Sequence, residues 1–146
     1  MRHRAKKRLG QNFLIDTNII DKIIRSINPQ PDDHIIEIGP GLGALTQPLL
    51  KSLARLDVIE FDRDIIPELA KLEGNDRLLV HNIDVLTFNF TEFRRLNFGD
   101  DRIRIVGNLP YNISTAVLFH LIKHRNTILD MHFMLQKEVV ERIAAN

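Results

Sequence analysis

Asn108-Leu109-Pro110-Tyr111 is the stretch of this chain whose residue types speak most directly to a reaction. An exocyclic adenine amine is a poor nucleophile, because its lone pair is delocalised into the ring. Two acceptors aimed at its hydrogens, the Asn108 side-chain oxygen and the Leu109 backbone carbonyl, favour pyramidalisation and localise that pair. Pro110 stiffens the chain and carries no competing N–H. Tyr111 offers a flat face on which an extruded base can stack. No strong general base is needed, since the nitrogen becomes acidic only after it has taken the new carbon. The competing reading is a tight turn followed by a core tyrosine.

A second group surrounds Gly39-Pro40-Gly41-Leu42-Gly43. Gly39, Gly41 and Ala44 also satisfy a dinucleotide fingerprint, in which glycines allow the turn and the close approach of backbone to ligand. Glu60 lies 21 residues past Gly39, where an acid accepts from ribose hydroxyls. A nicotinamide-dependent oxidoreductase therefore competes here. Two carboxylates weigh against it. Glu37, just before the loop, suits a cationic ligand better than a pyrophosphate, and Asp84 offers an acceptor to an adenine amine. S-adenosylmethionine meets these requirements: its sulfonium and ammonium are positive, its ribose needs an acid and its adenine a polar contact. The plainer alternatives are a structural or capping carboxylate at Glu37, an incidental acid at Glu60 and a turn residue at Asp84.

These residues are positioned by alternating elements. Apolar residues at 19, 20, 23, 24 and 27 make an amphipathic helix from Thr17 to Ile27, ended by Asn28-Pro29. Strands are predicted at His34–Ile38, Leu56–Glu60, Leu78–His81, Ile103–Gly107 and Met131–Leu135. Helices are predicted at Ala44–Leu53, with Pro48 in the first turn, around Ile65–Glu73, at Asn89–Leu96 and Ser114–Lys123, and from Lys137 to Ala145. The alternation argues for a parallel sheet with helices on both faces. Ligands in such sheets sit beyond the carboxyl ends of the strands, at the switch point. The glycine loop, Glu60, Asp84 and Asn108 each follow a different predicted strand, and their agreement outweighs any one motif.

Composition sets the outer bounds. The chain has 146 residues, 44% hydrophobic and 27% charged, and no cysteine. One domain with a real core fits this length. The absence of Cys excludes disulfides, thiol catalysis and thiolate zinc sites. No apolar run approaches the ~18–20 residues of a membrane span, and no signal peptide is recognisable. A cytoplasmic protein without membrane contact is expected. Five of the 20 cations (Arg2, Arg4, Lys6, Lys7 and Arg8) precede Leu9, where there is no acid, leaving 15 cations against 19 acids. A basic arm on a mildly acidic body points to a polyanion; a solubilising tail is the alternative. His120 and His124 have helical ligand spacing but lack a third ligand. Phe88, Phe90 and Phe93 read as core.

With these motifs in place, the chain resembles one family, the small-subunit ribosomal RNA adenine dimethyltransferases. The matching stretches are Gly10-Gln11-Asn12-Phe13-Leu14, Glu37 through Thr46, Val58-Ile59-Glu60-Phe61-Asp62, Gly107 through Ser114, and Met131 through Glu138. Macrolide-resistance methylases share the Asn-x-Pro-Tyr loop, but Pro40, the Gly41–Thr46 run and Met131–Glu138 favour the small-subunit branch. The resemblance implies an α/β, Rossmann-like methyltransferase fold over residues 10–146, behind an arm at residues 1–9. It implies dimethylation of two adjacent adenosines in the 3′-terminal hairpin of small-subunit RNA, late in ribosome assembly. Cofactor contacts are expected from Gln11, Asn12, Leu14, Glu37, Gly39, Gly41, Gly43, Glu60, Asp84 and Asn108, and RNA contacts from the arm. A non-catalytic assembly factor that binds the immature subunit is the alternative function. The resemblance also implies further strands, a second stacking aromatic and a helical domain beyond Asn146. The domain is thus expected to be incomplete after strand five, with a self-associating edge, and to bind cofactor without transferring methyl groups.

Overall fold

The structure, a computed structural model, describes residues 17–135. Helix α1 (Thr17–Ile27) buries Ile27, with Ile23 and Ile24 against the same apolar layer. It stops where its sequence says it should. Asn28 takes a left-handed φ of 46° and its N–H donates to the Ile24 carbonyl at 2.7 Å, a C-terminal cap that Asn tolerates, and Pro29 follows.

Five strands then form one sheet: β1 (Ile35–Ile38), β2 (Leu56–Ile59), β3 (Leu78–His81), β4 (Ile103–Leu109) and β5 (Ile128–Leu135). Their order is β3-β2-β1-β4-β5, and every pairing is parallel. The chain reverses direction across the sheet between β1 and β4, which makes the gap between these two strands the topological switch point. β1 and β2 are buried along their whole lengths, as expected of strands covered on both faces. One face packs on α1, α2 (Thr46–Ser52) and α3 (Ile66–Leu69), through Ile35, Leu49, Val58 and Leu69. The other packs on α4 (Phe90–Phe98) and α5 (Tyr111–Lys123), through Ile36, Ile105, Phe90 and Val117. Phe88 and Phe90 are buried and Phe93 packs on them, so the three phenylalanines are core.

Several boundaries differ from the periodicity, and each has a cause. Predicted to run to Glu73, α3 ends at Leu69. The Asn75 amide donates to the Ala70 carbonyl at 2.7 Å, and Gln47 exchanges two hydrogen bonds with the Glu73 backbone at 2.7 and 3.0 Å. Those bonds satisfy backbone groups that would otherwise need another helical turn. β4 runs two residues beyond Gly107, pairing Asn108 with Met134 and Leu109 with Leu135, while β5 begins at Ile128 rather than Met131. The residue before a proline is pushed toward extended backbone, which keeps Leu109 in the strand. Pro110 then serves as N-cap of α5, which starts at Tyr111, three residues earlier than predicted. The predicted four-residue catalytic loop is therefore a strand end, one proline and a helix start. Pro48, the third residue of α2, does sit in the first turn. Asn89 caps α4 by accepting from the Glu92 N–H at 3.0 Å.

The opposite end of the sheet is closed by Arg104. This buried cation of β4 donates to the Ile27 carbonyl, to Asp33 at 2.8 Å and to Asp130 at 3.0 Å. It joins the end of α1, the loop before β1, and β5. Among the described residues no helix is long and apolar enough to cross a membrane.

Candidate cofactor and base site

At the carboxyl ends of β1, β2 and β3 lies a cavity of about 260 Å³. Gly39, Glu60 and Asp84 line it, together with Ile38, Ile59, Phe61, Ile83, Val85, Leu86, Ile113 and Val117. Three strand-end residues singled out from the sequence thus share one recess. Gly39 has a φ of +68°, a conformation that favours glycine, and its N–H donates to the Ile59 carbonyl at 3.0 Å. Gly107 matters for a different reason. A Cβ there would fall 2.8 Å from the Ile38 carbonyl oxygen, so only glycine lets β4 lie this close to β1 at the switch point.

Glu60 is 8% exposed, and one carboxylate oxygen accepts from the Asp62 N–H at 3.0 Å. Its backbone is tied on both sides: the N–H donates to His81, and the carbonyl accepts from the Asn82 amide at 2.9 Å. That same amide reaches the Phe61 carbonyl at 3.2 Å. Asn82 therefore locks the loop after β2 to the loop after β3, and sequence reasoning gave it no such part. Asp84 accepts from the Leu86 N–H at 3.0 Å and caps a short 3₁₀ turn, Val85–Thr87. The turn role and the cavity position belong to the same side chain, since a carboxylate has four acceptor sites.

Phe61 is the lining residue that the sequence reading passed over. It is 70% exposed, an unusual state for a large aromatic beside a cavity. Its position directly after an acid at a strand end was the available signal. Together the walls are chiefly apolar, with two carboxylates and a glycine backbone set among them, which suits a ribose and a flat heteroaromatic ring.

Asn108 lies at the neighbouring strand end. A Cβ placed on Gly39 would be 3.5 Å from its backbone carbonyl oxygen. Its side-chain oxygen is buried and accepts no hydrogen bond. Buried acceptors are nearly always paired, and leaving one bare costs about 1–3 kcal/mol, so an unpaired one beside a cavity marks a place prepared for a donor. The Leu109 side chain is buried in the core and Pro110 is exposed. Pro110 caps the helix through its carbonyl, which accepts from Ile113 and Ser114 at 3.2 Å.

Glu37 does not line the cavity. It is 1% exposed and accepts from the Thr46 hydroxyl at 2.6 Å, beneath the glycine turn. Burial pushes its carboxyl up to about 7; the Thr46 hydrogen bond opposes that shift and nearby Glu60 adds to it. Gly41 and Gly43 also stand outside the lining and shape the turn, the Gly43 N–H donating to Pro40 at 3.0 Å. Gln11, Asn12, Leu14, the basic residues Arg2, Arg4, Lys6, Lys7 and Arg8, and the predicted Lys137–Ala145 helix lie outside the described residues. His120 is bonded to the Phe88 carbonyl and His124 to the Thr91 hydroxyl, and no metal-binding cluster exists among the described residues.

Comparison with known proteins agrees with this geometry. The model of the family described as "Ribosomal RNA adenine dimethylase" matches residues 2–146. Ribosomal RNA small subunit methyltransferase A of Methylobacillus flagellatus is 56% identical over 145 residues, covering 99% of this chain and 54% of that protein. The protein of the same name from Marinobacter nauticus is 52% identical, covering 98% and 51%. The chain thus spans about half the length of the curated relatives it matches. Among solved structures, a dimethyladenosine transferase from Plasmodium falciparum superposes with a TM-score of 0.67 at 32% identity, covering 88% of this chain and 45% of that one. The 23S rRNA methyltransferase ErmE gives a TM-score of 0.69 at 27% identity, covering 84% and 47%. With a matching model over nearly its whole length and this sheet order and strand-end site, the chain belongs to the ribosomal RNA adenine dimethylase family.

Proposed function

We propose that this protein is an S-adenosylmethionine-dependent methyltransferase that dimethylates the N6 amines of two adjacent adenosines in the 3′-terminal hairpin of small-subunit ribosomal RNA, during subunit assembly in the cytoplasm. One observation carries the reading: the buried, unpaired side-chain oxygen of Asn108, which does not itself line the cavity but belongs to the strand end packed against its lining residue Gly39, next to Glu60 and Asp84 in the lining.

The residues fit the cofactor by the chemistry of their donors and acceptors. Glu60 is placed to accept from the ribose hydroxyls, Asp84 to accept from the adenine amine, and Phe61 or Ile83 to cover the ring. Gly39 lets backbone approach without a side chain intervening. When bound, the cofactor supplies an electrophilic methyl group on a positively charged sulfur. The protein's own part is to hold and desolvate the acceptor amine. Asn108 accepts one N–H of the target adenine, opposing delocalisation of the nitrogen lone pair, and its oxygen gains the partner it lacks. Tyr111 at the start of α5 supplies the stacking face for the extruded base, and the arm at Arg2–Arg8 supplies phosphate contacts.

The test is Asn108→Ala made in a chain of the length of the curated relatives, assayed for methyl transfer to undermethylated small subunits, with cofactor affinity measured alongside. Removing one preorganised hydrogen-bonding group lowers turnover by roughly 10²–10³, with cofactor binding reduced far less. Unchanged turnover in a folded variant overturns the reading.

A further inference from the structure

Asn82 is a polar side chain that the proposed chemistry leaves unused, and it stands between two loops that line the cavity. Parallel pairing of β2 with β3 ends at Ile59 and His81. One backbone bond follows, the Glu60 N–H donating to the His81 carbonyl at 3.0 Å. The ladder then stops, because the Ile83 N–H turns back to that same carbonyl at 3.1 Å, a three-residue turn centred on Asn82. Beyond this point the cavity is lined by Glu60 and Phe61 from the loop after β2, and by Ile83 and Asp84 from the loop after β3. The Asn82 side chain supplies the cross-links that the ladder no longer does. Its amide nitrogen carries two hydrogens and lies 2.9 Å from the Glu60 carbonyl oxygen and 3.2 Å from that of Phe61. With its ring 70% exposed, Phe61 has little side-chain packing to hold it, so its backbone fixes its place.

We infer that Asn82 is a positioning residue for the adenosine half of the cofactor: its amide fixes the separation between the loop carrying the ribose acceptor, Glu60, and the loop carrying the adenine acceptor, Asp84. This rests on the cofactor reading above and adds the residue that sets the spacing of its two acceptors. Tied by one amide, the loops are ordered before the ligand arrives, so binding spends little of its free energy on ordering them. Each carboxylate keeps its own support without Asn82, Glu60 from the Asp62 N–H and Asp84 from the Leu86 N–H. What the amide governs is therefore the relation between the acceptors, not either acceptor alone. S-adenosylmethionine and S-adenosylhomocysteine share the adenosine, so both depend on Asn82 to the same degree. Asn108 lies on β4, across β1 from these loops, and the chemistry at the target amine is left alone.

The experiment uses a chain of the length of the curated relatives, titrated calorimetrically with each of the two ligands and assayed for methyl transfer to undermethylated small subunits. Asn82→Ala lowers the affinity for both ligands by roughly 10- to 30-fold, the scale of two neutral hydrogen bonds. The KM for S-adenosylmethionine rises in step, while kcat at saturating cofactor moves by less than about twofold. Asn82→Gln, which keeps both donors on a longer stem, recovers most of the affinity. Asn82→Asp keeps the shape but turns oxygen toward two carbonyls, and it binds more weakly than the Ala variant. A double-mutant cycle separates positioning from a general loss of stability: in a Glu60→Ala background, Asn82→Ala costs only about threefold or less, because the acceptor it positions is gone. The Gln and Asp variants give the answer even where the Ala variant does not fold. Unchanged affinity in Asn82→Ala or Asn82→Asp, additive losses in the cycle, or a fall in kcat with KM unchanged overturns the inference and leaves the cofactor reading standing. Failure of the unaltered protein to bind either ligand overturns both.

Discussion

Replacing Glu37 by Gln makes the stability of the ligand-free protein less dependent on pH. The Gln side-chain oxygen still accepts from Thr46, whose hydroxyl lies 2.6 Å from the wild-type carboxyl, so the hydrogen bond and the volume are kept. What changes is the proton. Glu37 is raised from 4.5 to about 7, chiefly by burial. A carboxyl whose folded value lies above its unfolded one contributes its full stability below the unfolded value. That contribution is lost as pH rises through the folded one. At about 1.4 kcal/mol for each tenfold change in proton affinity, the whole effect is on the order of 3 kcal/mol. Between pH 5 and pH 8 most of it is lost, about 2–3 kcal/mol. Gln has no such loss. Urea unfolding of both proteins at the two pH values, with S-adenosylmethionine absent, measures it. The stability of the Gln variant relative to the unaltered protein rises by about 2–3 kcal/mol from pH 5 to pH 8. Other titrating groups are common to both proteins and cancel. Parallel pH profiles would refute the reasoning, by showing that Glu37 stays ionised or is solvated in the folded state.

The remaining predictions are simpler. Glu60→Ala weakens S-adenosylmethionine binding by about 2–3 kcal/mol, the scale of charge-assisted hydrogen bonds; calorimetry giving unchanged affinity in a folded variant would mean the ribose site lies elsewhere. Gly107→Ala forces a Cβ to within 2.8 Å of the Ile38 carbonyl oxygen and destabilises by about 1–3 kcal/mol, as overpacking does. A chemical-denaturation midpoint equal to that of the unaltered protein contradicts it. Phe90→Ala empties the centre of the α4–α5 layer and costs about 3–5 kcal/mol, read from the same unfolding curves. Deleting residues 2–8 removes five cations and flattens the salt dependence of RNA affinity by several units of logarithmic slope; an identical slope would make the arm a solubilising tail.

Much of this architecture is written locally. Apolar spacing of 3.6 or 2, a capping Asn28, a first-turn Pro48 and glycines before a helix are properties of short windows, so helix α1 and strand β3 match their predicted ranges residue for residue. The gathering of Gly39, Glu60 and Asp84 was legible too, because a parallel sheet puts every strand's carboxyl end on one edge. What sequence could not supply depended on partners far along the chain. α3 is short because of Asn75 and of Gln47, which lies 26 residues before its partner Glu73. β4 carries Asn108 inside the sheet because β5 pairs with it there. Glu37, read as a ligand for a cation in the open site, is enclosed with Thr46 instead, and Phe61 rather than Glu37 faces the cavity. Residue type and spacing determined which chemistry was available at each strand end. Burial decided which of those groups keeps its charge, which is left without a partner and which meets the ligand, because solvation and hydrogen bonding are set by neighbours that only the folded chain brings together.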